Sequence, residues 1–548
     1  MKILTKELVI VFIISFIIVL AVYWQLFFTF YQQDEWQGVG FMQALGFGGY
    51  ITSGFSPIQV FFGQSRIFTA AINYILFQMI PFNVFFLALY ALIMHSINTT
   101  LVYSLASRFF KNIFIAAICA LFFCLNNVGS QAVSWFGTSV AALTASTFIL
   151  VSLLFLLEYL EKEKNIFLWI SYLTLIVSFY FKESGLGFIP FYTILLLFYK
   201  RKKMTSTFVI KAAIPLLYFI CFAIFRYVTS VFTHVKTVGY ITSSSPQYST
   251  LLFNGFRSFL IIFGQVLVPP NLALFLGNTF LPIVYPKLLT LSGSDLIIQT
   301  IGIDFLMTVI SFVFLILLFL FIRSKGDLQK AIFFFIIVLV SLVPYIVISP
   351  GWSYFESRYY YVPIIGMSLL VGSFSVSLVS FKKRYISGCF FLLFLILLII
   401  HVKYTYSALS AQIQLAKDRL FILSSIKREI PRLNRKTVFY ISSVSTYTVP
   451  HNPLPFQQGL GYTLQVWLFN KSNDKLKILL TEPFLWDLGS EGYQQVGDQG
   501  FGYFYSLDDL KGMVKKYKLN PNVVYAFSWD GNTHQLTNIT QQTRKKLK

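Results

Sequence analysis

The first apolar run of the chain, Leu8–Phe30, reads LVIVFIISFIIVLAVYWQLFFTF and contains no charged residue. About 20 apolar residues in a helix cross the ~30 Å of hydrocarbon in a bilayer, so this run predicts a transmembrane helix. It is longer than the apolar core of a signal peptide, and no small-residue cleavage site follows it. We therefore expect a helix that stays with the chain.

The composition extends this prediction to most of the sequence. Of 548 residues, 56% are hydrophobic and only 12% are charged, which is typical of polytopic membrane proteins. Long apolar runs recur up to about residue 404, after which the sequence becomes polar and mixed. We expect about eleven transmembrane helices, at 8–30, 83–107, 112–125, 137–157, 165–181, 184–199, 207–228, 297–322, 331–349, 362–380 and 385–404.

The basic residues predict the orientation. Connections rich in Lys and Arg alternate with connections poor in them, and the positive-inside rule places the basic ones in the cytoplasm. The N-terminus is then cytoplasmic, and residues 405–548 lie outside. The net charge of +22 resembles that of nucleic-acid-binding proteins, but basic loops facing anionic lipid headgroups explain it better. We expect a multi-pass protein of the cell membrane, without a nucleic-acid partner.

Two domains are expected: a membrane domain at 1–404 and an extracytoplasmic domain at 405–548. Strand-like runs at 437–442, 462–468 and 522–528 and a helix-like run at 507–517 predict a small α/β or α+β fold for the second. In the first outer loop, 31–82, amphipathic stretches predict interfacial helices, one of them at 67–79. The apolar segment 253–276 contains Arg257 and two prolines, and we interpret it as interfacial or re-entrant.

Ionisable residues in the outer loops are the candidates for a functional site, because charge near lipid is costly. Asp34 and Glu35 follow the first span and could act as a general base, bind a divalent cation, or form a solvated turn. Lys182 and Glu183 lie between two spans and could simply neutralise each other. Arg358 could anchor its helix at the interface or bind a phosphate through its guanidinium fork, and Arg66 has the same two interpretations.

Other signals are weak. The five histidines show no metal-ligand spacing, and a hydrogen-bonded core histidine is the better explanation of His95. Four cysteines in apolar segments predict no disulfide framework. The sequence contains no phosphate-binding glycine loop, dinucleotide fingerprint or zinc spacing. No cofactor is predicted with certainty, and a divalent metal stays possible at Asp34 and Glu35.

Four segments, taken in order, resemble one family. They are Ser65–Phe77 with Pro81-Phe82 and Ala91–Tyr103, Leu125–Trp135, the Lys182-Glu183 turn, and Glu356-Ser-Arg-Tyr-Tyr-Tyr-Val-Pro363. Together they are similar to the membrane part of bacterial GT-C glycosyltransferases and of the transmembrane and tetratricopeptide-repeat-containing O-mannosyltransferases. The chain departs from that pattern at Asn126-Asn127, where the family has His-Pro, at Gln131, where it has Glu, and in lacking 34-residue helical repeats after residue 404.

The resemblance implies a GT-C-like fold and an inverting transfer of a sugar from a polyprenyl-phosphate donor to a protein or glycan acceptor at the outer face. It implies that Asp34 is the base or positions the acceptor, with Glu35 as its neighbour. It also implies a donor-phosphate site in which Arg66, Lys182 and Arg358 hold the phosphate. Glu183 and Tyr359 complete that site. Two other classes stay open: a carrier of lipid-linked sugars, and a non-catalytic envelope scaffold.

Overall fold

The chain is a mainly α, multi-pass membrane protein with a small five-stranded sheet near its C-terminus, as the sequence predicts. The computed structural model describes residues 2–52, 66–199, 205–233, 248–284, 295–325, 327–346, 357–379, 384–445, 454–456, 460–468 and 491–548. The side chain of Asp34 and the motif residue Glu356 lie outside this description.

The described residues form two compact units, which we treat separately. The first comprises residues 1–24, 55–72 and 88–408, and the second comprises residues 25–54, 73–87 and 409–548. The helices that precede the sheet are α1 (Lys2–Tyr23), α2 (Gln33–Thr52), α3 (Ile67–Met79), α4 (Phe85–Phe110), α5 (Ile113–Leu125), α6 (Ser130–Ser134), α7 (Phe136–Lys162), α8 (Asn165–Phe179), α9 (Phe188–Tyr199), α10 (Ser206–Thr233), α11 (Tyr248–Leu267), α12 (Pro270–Val284), α13 (Asp295–Lys325), α14 (Leu328–Leu342), α15 (Tyr361–Val379) and α16 (Arg384–Glu429).

All eleven predicted spans coincide with helices, but not all are long. Among the described residues, eight helices are long and apolar enough to cross a membrane, or ten if each of two bent pairs is one span. The predicted spans at 165–181 and 184–199 appear as the short helices α8 and α9, of 15 and 12 residues. At 1.5 Å per residue these are only about 23 and 18 Å long, less than the ~30 Å core.

The last predicted span is longer than expected. Helix α16 continues for 46 residues to Glu429 rather than ending near residue 404. Its sequence changes from apolar to polar at that point without a glycine or proline, so the hydropathy ends while the helix does not.

Helices α11 and α12 form a bent pair at the segment that contains Pro269 and Pro270. The two arms meet at an angle of 111°, which confirms that this segment is not a straight span. Arg257 on the first arm donates to both carboxylate oxygens of Asp304 on α13, at 2.5 and 2.7 Å. This pairing explains how an arginine with 7% exposure is accommodated in an apolar helix.

A glycine lets α11 approach α13 closely. A Cβ atom on Gly264 would lie 2.4 Å from the carbonyl oxygen of Met307, and backbone cannot give way as a flexible side chain can. We expect Gly264→Ala to lower the free energy of unfolding by about 1–3 kcal/mol, measured by thermal unfolding in detergent. Gly388→Ala on α16 is the control, since nothing lies within 4 Å of its Cβ position; equal effects of both changes would contradict the close approach.

His95 belongs to a buried hydrogen-bond network, which confirms its interpretation as a core histidine. Its Nε2 donates to the Cys124 carbonyl at 3.0 Å, so Nδ1 accepts from the Tyr361 hydroxyl at 2.8 Å. The Asn98 amide donates to the same hydroxyl at 3.2 Å. These bonds join α4, α5 and α15. They satisfy polar groups that would otherwise be buried without hydrogen-bond partners.

The sheet of the second unit is mixed. Its strands are β1 (Lys436–Ser443), β2 (Gly492–Val496), β3 (Gln499–Phe504), β4 (Val524–Asp530) and β5 (Gln535–Asn538). The order is β2-β3-β1-β4-β5, with β1 parallel to both neighbours and the two edge strands antiparallel. The remaining helices are α17 (Leu460–Leu468), α18 (Leu507–Lys516) and α19 (Thr540–Leu547).

Helix α18 begins and ends where its sequence predicts. The Ser506 hydroxyl caps it by accepting from the Asp509 amide at 3.3 Å, with acids in the first turn and lysines in the last. Leu510 and Val514 on this helix pack against Val438 and Val524 of the sheet. The predicted strands at 437–442 and 522–528 are confirmed as β1 and β4, the latter starting at Val524.

The predicted strand at 462–468 is wrong, because these residues form helix α17. Tyr462, Leu464, Val466 and Leu468 alternate as in a half-exposed strand, but the residues between them are also mostly buried. A Cβ atom on Gly461 would lie 2.6 Å from Cβ of Tyr503 on β3. The helix is thus packed on more than one side, and tertiary packing overrides the two-residue pattern.

Candidate phosphate site and acidic segment

The first unit brings together five predicted site residues from three distant parts of the sequence. We call Arg66, Lys182, Glu183, Arg358 and Tyr359 the cation cluster. Asp34 and Glu35, which we call the acidic segment, belong to the second unit.

Arg66 and Glu183 form a forked ion pair. Arg66 Nη2 lies 2.9 Å from Glu183 Oε2, and Arg66 Nε lies 3.3 Å from both carboxylate oxygens. The charge of Glu183 raises the pKa of Arg66 above its ordinary value, so the guanidinium stays charged. Nearby, the Thr69 hydroxyl donates to the Phe181 carbonyl at 2.9 Å and fixes α3 against the Lys182 turn. The Arg66 side chain is 54% exposed, so both of its interpretations stay open.

Lys182 is buried against two tyrosine rings. Its Nζ lies 5.4 Å from the ring centroid of Tyr359 and 5.8 Å from that of Tyr345. Lys182 is buried, with 3% of its surface exposed. The two rings are 4.8 Å apart, and the Ser184 and Tyr345 hydroxyls are 2.6 Å apart. Cation–π attraction offsets part of the cost of burying the ammonium group.

Arg358 is buried in a short 3-10 helix, Ser357–Tyr360. Its guanidinium carbon lies 4.1 Å from the ring centroid of Trp135 and 5.2 Å from that of Tyr359. Its backbone amide donates to Gln131 Oε1 at 3.1 Å. With 4% exposure, Arg358 is not the solvated interface anchor that the sequence left open; its charge points into the protein.

The chemistry of the cation cluster suits an anion. Lys182 and Arg358 both lie near the Tyr359 ring, and Arg66 interacts electrostatically with Tyr345 and Tyr359. Three cations and one carboxylate give these residues a formal charge of +2. Lys182 and Arg358, which are buried, can stabilise a phosphate strongly because water does not screen them fully.

Glu35 has a structural task at the start of α2. It is 6% exposed, and its Oε2 accepts from the Gln32 amide at 2.6 Å while its own amide donates to the Gln32 carbonyl at 3.1 Å. A glutamate at the third helical position that reaches back to the preceding amide forms half of a capping box. Asp34 lies in the same helix, and its side chain is outside the described residues.

Arg419 on α16 is a charged residue near the acidic segment, and sequence reasoning missed it. It is 4% exposed, interacts electrostatically with Glu35 and Asp418, and donates through Nε to the Pro455 carbonyl at 2.5 Å. Asp418 in turn lies 2.8 Å from His534 Nδ1. Adjacent opposite charges in Asp418-Arg419 were the available signal, but such pairs are common on solvated helix faces.

Aromatic side chains fix the geometry of the acidic segment. The Trp36 ring lies 6.3 Å from that of Trp467 on α17. Trp467 Nε1 donates to the Leu423 carbonyl at 3.1 Å, one turn beyond Arg419 on α16. The start of α2 is thus held along the polar part of α16.

The capping contact gives a prediction that separates the two acids. Glu35→Ala should lower the free energy of unfolding by about 1–2 kcal/mol, whereas Glu35→Gln should cost less, because glutamine also completes a capping box. Chemical unfolding of the detergent-purified protein measures both. Equal destabilisation by the two changes would show that the charge facing Arg419, rather than the capping hydrogen bond, is what matters.

Asn126 and Asn127, where the chain departs from the family pattern, hold the bent helix pair. Asn126 Nδ2 donates to the Val266 carbonyl at 3.0 Å, and the Asn127 backbone amide donates to His401 Nδ1 at 3.1 Å. His401 must then carry its proton on Nε2, which donates to the Leu267 carbonyl at 3.1 Å. These contacts satisfy the last carbonyls of α11, a structural task. Within the described ranges, no group of three or more His, Cys, Asp or Glu side chains could hold a metal ion.

Comparison with known proteins gives no family. No family model and no curated protein matches the chain. A crystal structure of ArnT from Cupriavidus metallidurans in the apo state aligns with 97% of this chain and 94% of that chain, at 10% identity and a TM-score of 0.38. The same protein bound to undecaprenyl phosphate aligns over 96% and 93%, at 10% identity and a TM-score of 0.36.

Proposed function

We propose that the protein is an integral-membrane, GT-C-like glycosyltransferase that moves a sugar from a polyprenyl-phosphate donor to an acceptor at the outer face of the membrane. The observation that supports it best is the cation cluster. The sequence resemblance named Arg66, Lys182 and Arg358 as donor-phosphate ligands although they are up to 292 residues apart (358 − 66). Lys182 and Arg358 both lie near the Tyr359 ring, and Arg66 pairs with Glu183, the neighbour of Lys182 in the sequence.

The proposed chemistry depends on charge that develops during the reaction. As the glycosidic bond breaks, the lipid phosphate leaves as an anion, so fixed cations stabilise the transition state more than the ground state. Lys182 and Arg358 supply these charges, and Glu183 holds Arg66 in place. Tyr359 contacts both buried cations through its ring and so helps to fix their positions.

The acceptor needs a group that removes its proton, and we assign this role to Asp34. Glu35 already accepts the capping hydrogen bond and interacts electrostatically with Arg419. We therefore assign it the role of holding the start of α2 in place. A divalent cation at the two acids is not required by this proposal.

A carrier of lipid-linked sugars is the second candidate, and the two bent helix pairs favour it. Broken helices bind substrate in many transporters. The same cation cluster would then bind the phosphate without breaking the glycosidic bond.

One experiment separates the two functions. Detergent-purified protein is incubated with a panel of radiolabelled polyprenyl-phosphate sugars and with peptide and glycan acceptors. A transferase converts label into acceptor product or releases it from the lipid, and the Asp34→Asn variant does neither. Binding without conversion of any donor, combined with lipid-sugar movement across vesicles, would support the carrier instead.

A further inference from the structure

One edge of the sheet in the second unit is strongly basic. The parallel strands β3, β1 and β4 begin at this edge, with Lys436 opposite Gly500 and Val438 opposite Val524. The end of α16, the loop that leads into β1 and helix α19 lie beside it. These segments carry eight basic residues, which we call the basic edge: Arg428, Arg432, Arg435, Lys436, Arg544, Lys545, Lys546 and Lys548.

Hydrogen bonds join the segments that carry the basic edge. Arg544 on α19 donates to the carbonyls of Val524 and Asn522, at the start of β4, at 2.9 and 2.6 Å. The side-chain amide of Asn538, just before α19, donates to the carboxylate of Glu429 at the end of α16. The basic residues therefore share one region of the surface, although more than 100 residues separate the two groups in the sequence (544 − 428).

Little of this charge is neutralised locally. Two acidic residues lie at the same edge, Glu429 and Asp498, and Asp498 pairs with Arg435 at 2.9 Å. Eight basic and two acidic residues give a formal charge of +6. The opposite edge of the sheet carries the acids Glu491, Asp508, Asp509 and Asp530, so the two edges favour ligands of opposite charge.

An open cleft of about 390 Å³ lies at the basic edge, a volume in the range of small-molecule sites. The guanidinium of Arg544 lies 5.4 Å from the ring centroid of Tyr525, and the two carbonyls described above hold it there. Amide side chains both donate and accept hydrogen bonds, as the hydroxyls of a sugar do. The lining includes Glu429, Tyr525, Asn538, Gln541, Gln542 and Arg544.

The basic edge lacks the apolar side chains that membrane-surface segments carry beside their basic residues. Within the described ranges 427–436 and 540–548, Ile430 and Leu433 are buried, and Leu547 packs against the core of the sheet. A lipid surface would therefore gain charge contacts alone, whereas the cleft also offers hydrogen bonds to a ring that carries hydroxyls.

We propose that the basic edge binds an anionic glycan, with one sugar ring in the cleft and the neighbouring acidic groups of the glycan on the surrounding Arg and Lys side chains. This inference rests on the proposed function, in which the glycan is the acceptor. It narrows the acceptor from a protein or glycan to a glycan that carries negative charge. The charge of the edge selects such a ligand over water and over a neutral glycan.

Protection of individual lysines from acetylation tests this binding. The full-length protein in phosphatidylcholine nanodiscs is treated with an amine-reactive reagent, and mass spectrometry measures the acetylation of each lysine separately. The probes are polygalacturonate, which has a carboxylate on each sugar ring, neutral dextran, and polyphosphate, which has no rings. A second nanodisc contains phosphatidylglycerol and receives no polymer. Because each lysine is measured separately, binding of a polymer to other basic loops does not affect the result.

Polygalacturonate should protect Lys545 and Lys546. It should not protect Lys417 on α16 or Lys511 on α18, which are exposed and lie outside the basic edge. Dextran should protect none of these lysines, and polyphosphate should protect less than polygalacturonate at equal charge.

Two double variants test the role of charge at the edge. Arg428→Gln with Arg432→Gln should raise the polygalacturonate concentration that gives half-protection about tenfold, because two exposed cations beside the cleft are lost. Lys417→Gln with Lys511→Gln is the matched control, since it removes the same charge from the same unit, and it should leave this concentration unchanged.

Several results would overturn the inference. They are no protection by polygalacturonate, equal protection of the control lysines, or an equal shift in both double variants. Protection by phosphatidylglycerol without polymer would assign the edge to lipid headgroups, and equal protection by polyphosphate would exclude recognition of a sugar. The measurement requires no catalysis, so protection by polygalacturonate in a protein that converts no donor would refute the transferase and leave the glycan site in place.

Discussion

Replacing Asp34 by asparagine is expected to reduce sugar transfer by about 10²–10⁴-fold, the usual contribution of a general base. Asparagine keeps the size of the side chain but cannot take a proton. The measurement is the initial rate of label transfer from a polyprenyl-phosphate sugar, at equal amounts of purified protein. Donor binding should change little, because the cations that we assign to the phosphate are untouched.

Glu35→Gln is the matched control for this experiment. It neutralises the neighbouring carboxylate, yet glutamine can keep the contact to the Gln32 amide. We expect this variant to retain most of the transfer rate. A full rate in Asp34→Asn, or an equal loss in Glu35→Gln without unfolding, would refute the assignment of Asp34 as the base.

Replacing Arg358 by leucine is expected to have the second largest effect, a loss of about 10²–10³-fold in kcat/KM, as for the removal of a charged group that stabilises the leaving anion. Arg358→Lys should recover only part of this loss, because lysine is a point charge that lacks the planar fork and the stacking on Trp135. Steady-state kinetics with the donor measures both variants.

Arg323→Leu on α13 serves as the control for loss of an arginine, since Arg323 is exposed and outside the cation cluster. Its kinetics should match the wild type. If Arg358→Leu also keeps a normal kcat/KM for the donor, the cluster does not hold the leaving phosphate and the buried arginine is purely structural.

Sequence patterns predict the membrane helices well because lipid imposes a simple rule. Every spanning segment must be apolar and satisfy its own backbone, so hydropathy locates α1, α4, α7 and α15 within a few residues. The rule does not say where a helix ends once its sequence becomes polar. Hydropathy therefore does not predict that α16 continues to Glu429. Only interruptions such as Pro269-Pro270 mark a break directly, and there the bend between α11 and α12 was expected.

The second unit is harder to predict, because its elements are buried by several neighbours. Helix α17 shows this most clearly. Apolar residues alternate in Tyr462–Leu468 as in a strand, but the helix is buried on more than one side, so the alternation does not mark one exposed and one buried face. Helix α18 carries its own cap and one apolar face, so its local sequence was sufficient.

The candidate site is also only partly predictable from the sequence. The order of motifs identified Arg66, Lys182 and Arg358 as candidates. In the fold, Lys182 and Arg358 share the Tyr359 ring, and Arg66 pairs with Glu183. The sequence could not distinguish Glu35 from Asp34, because the difference arises from a capping bond and from Arg419 more than 380 residues later (419 − 35).

The central claim is that the cation cluster binds the phosphate of a lipid donor, and a structure of the purified protein with decaprenyl phosphate tests it most directly. We predict phosphate density within hydrogen-bonding distance of Lys182 and Arg358, with Arg66 close enough to contribute its charge. Phosphate bound at another place in the chain, with the side chains of the cluster unchanged and in contact only with one another, would contradict the claim.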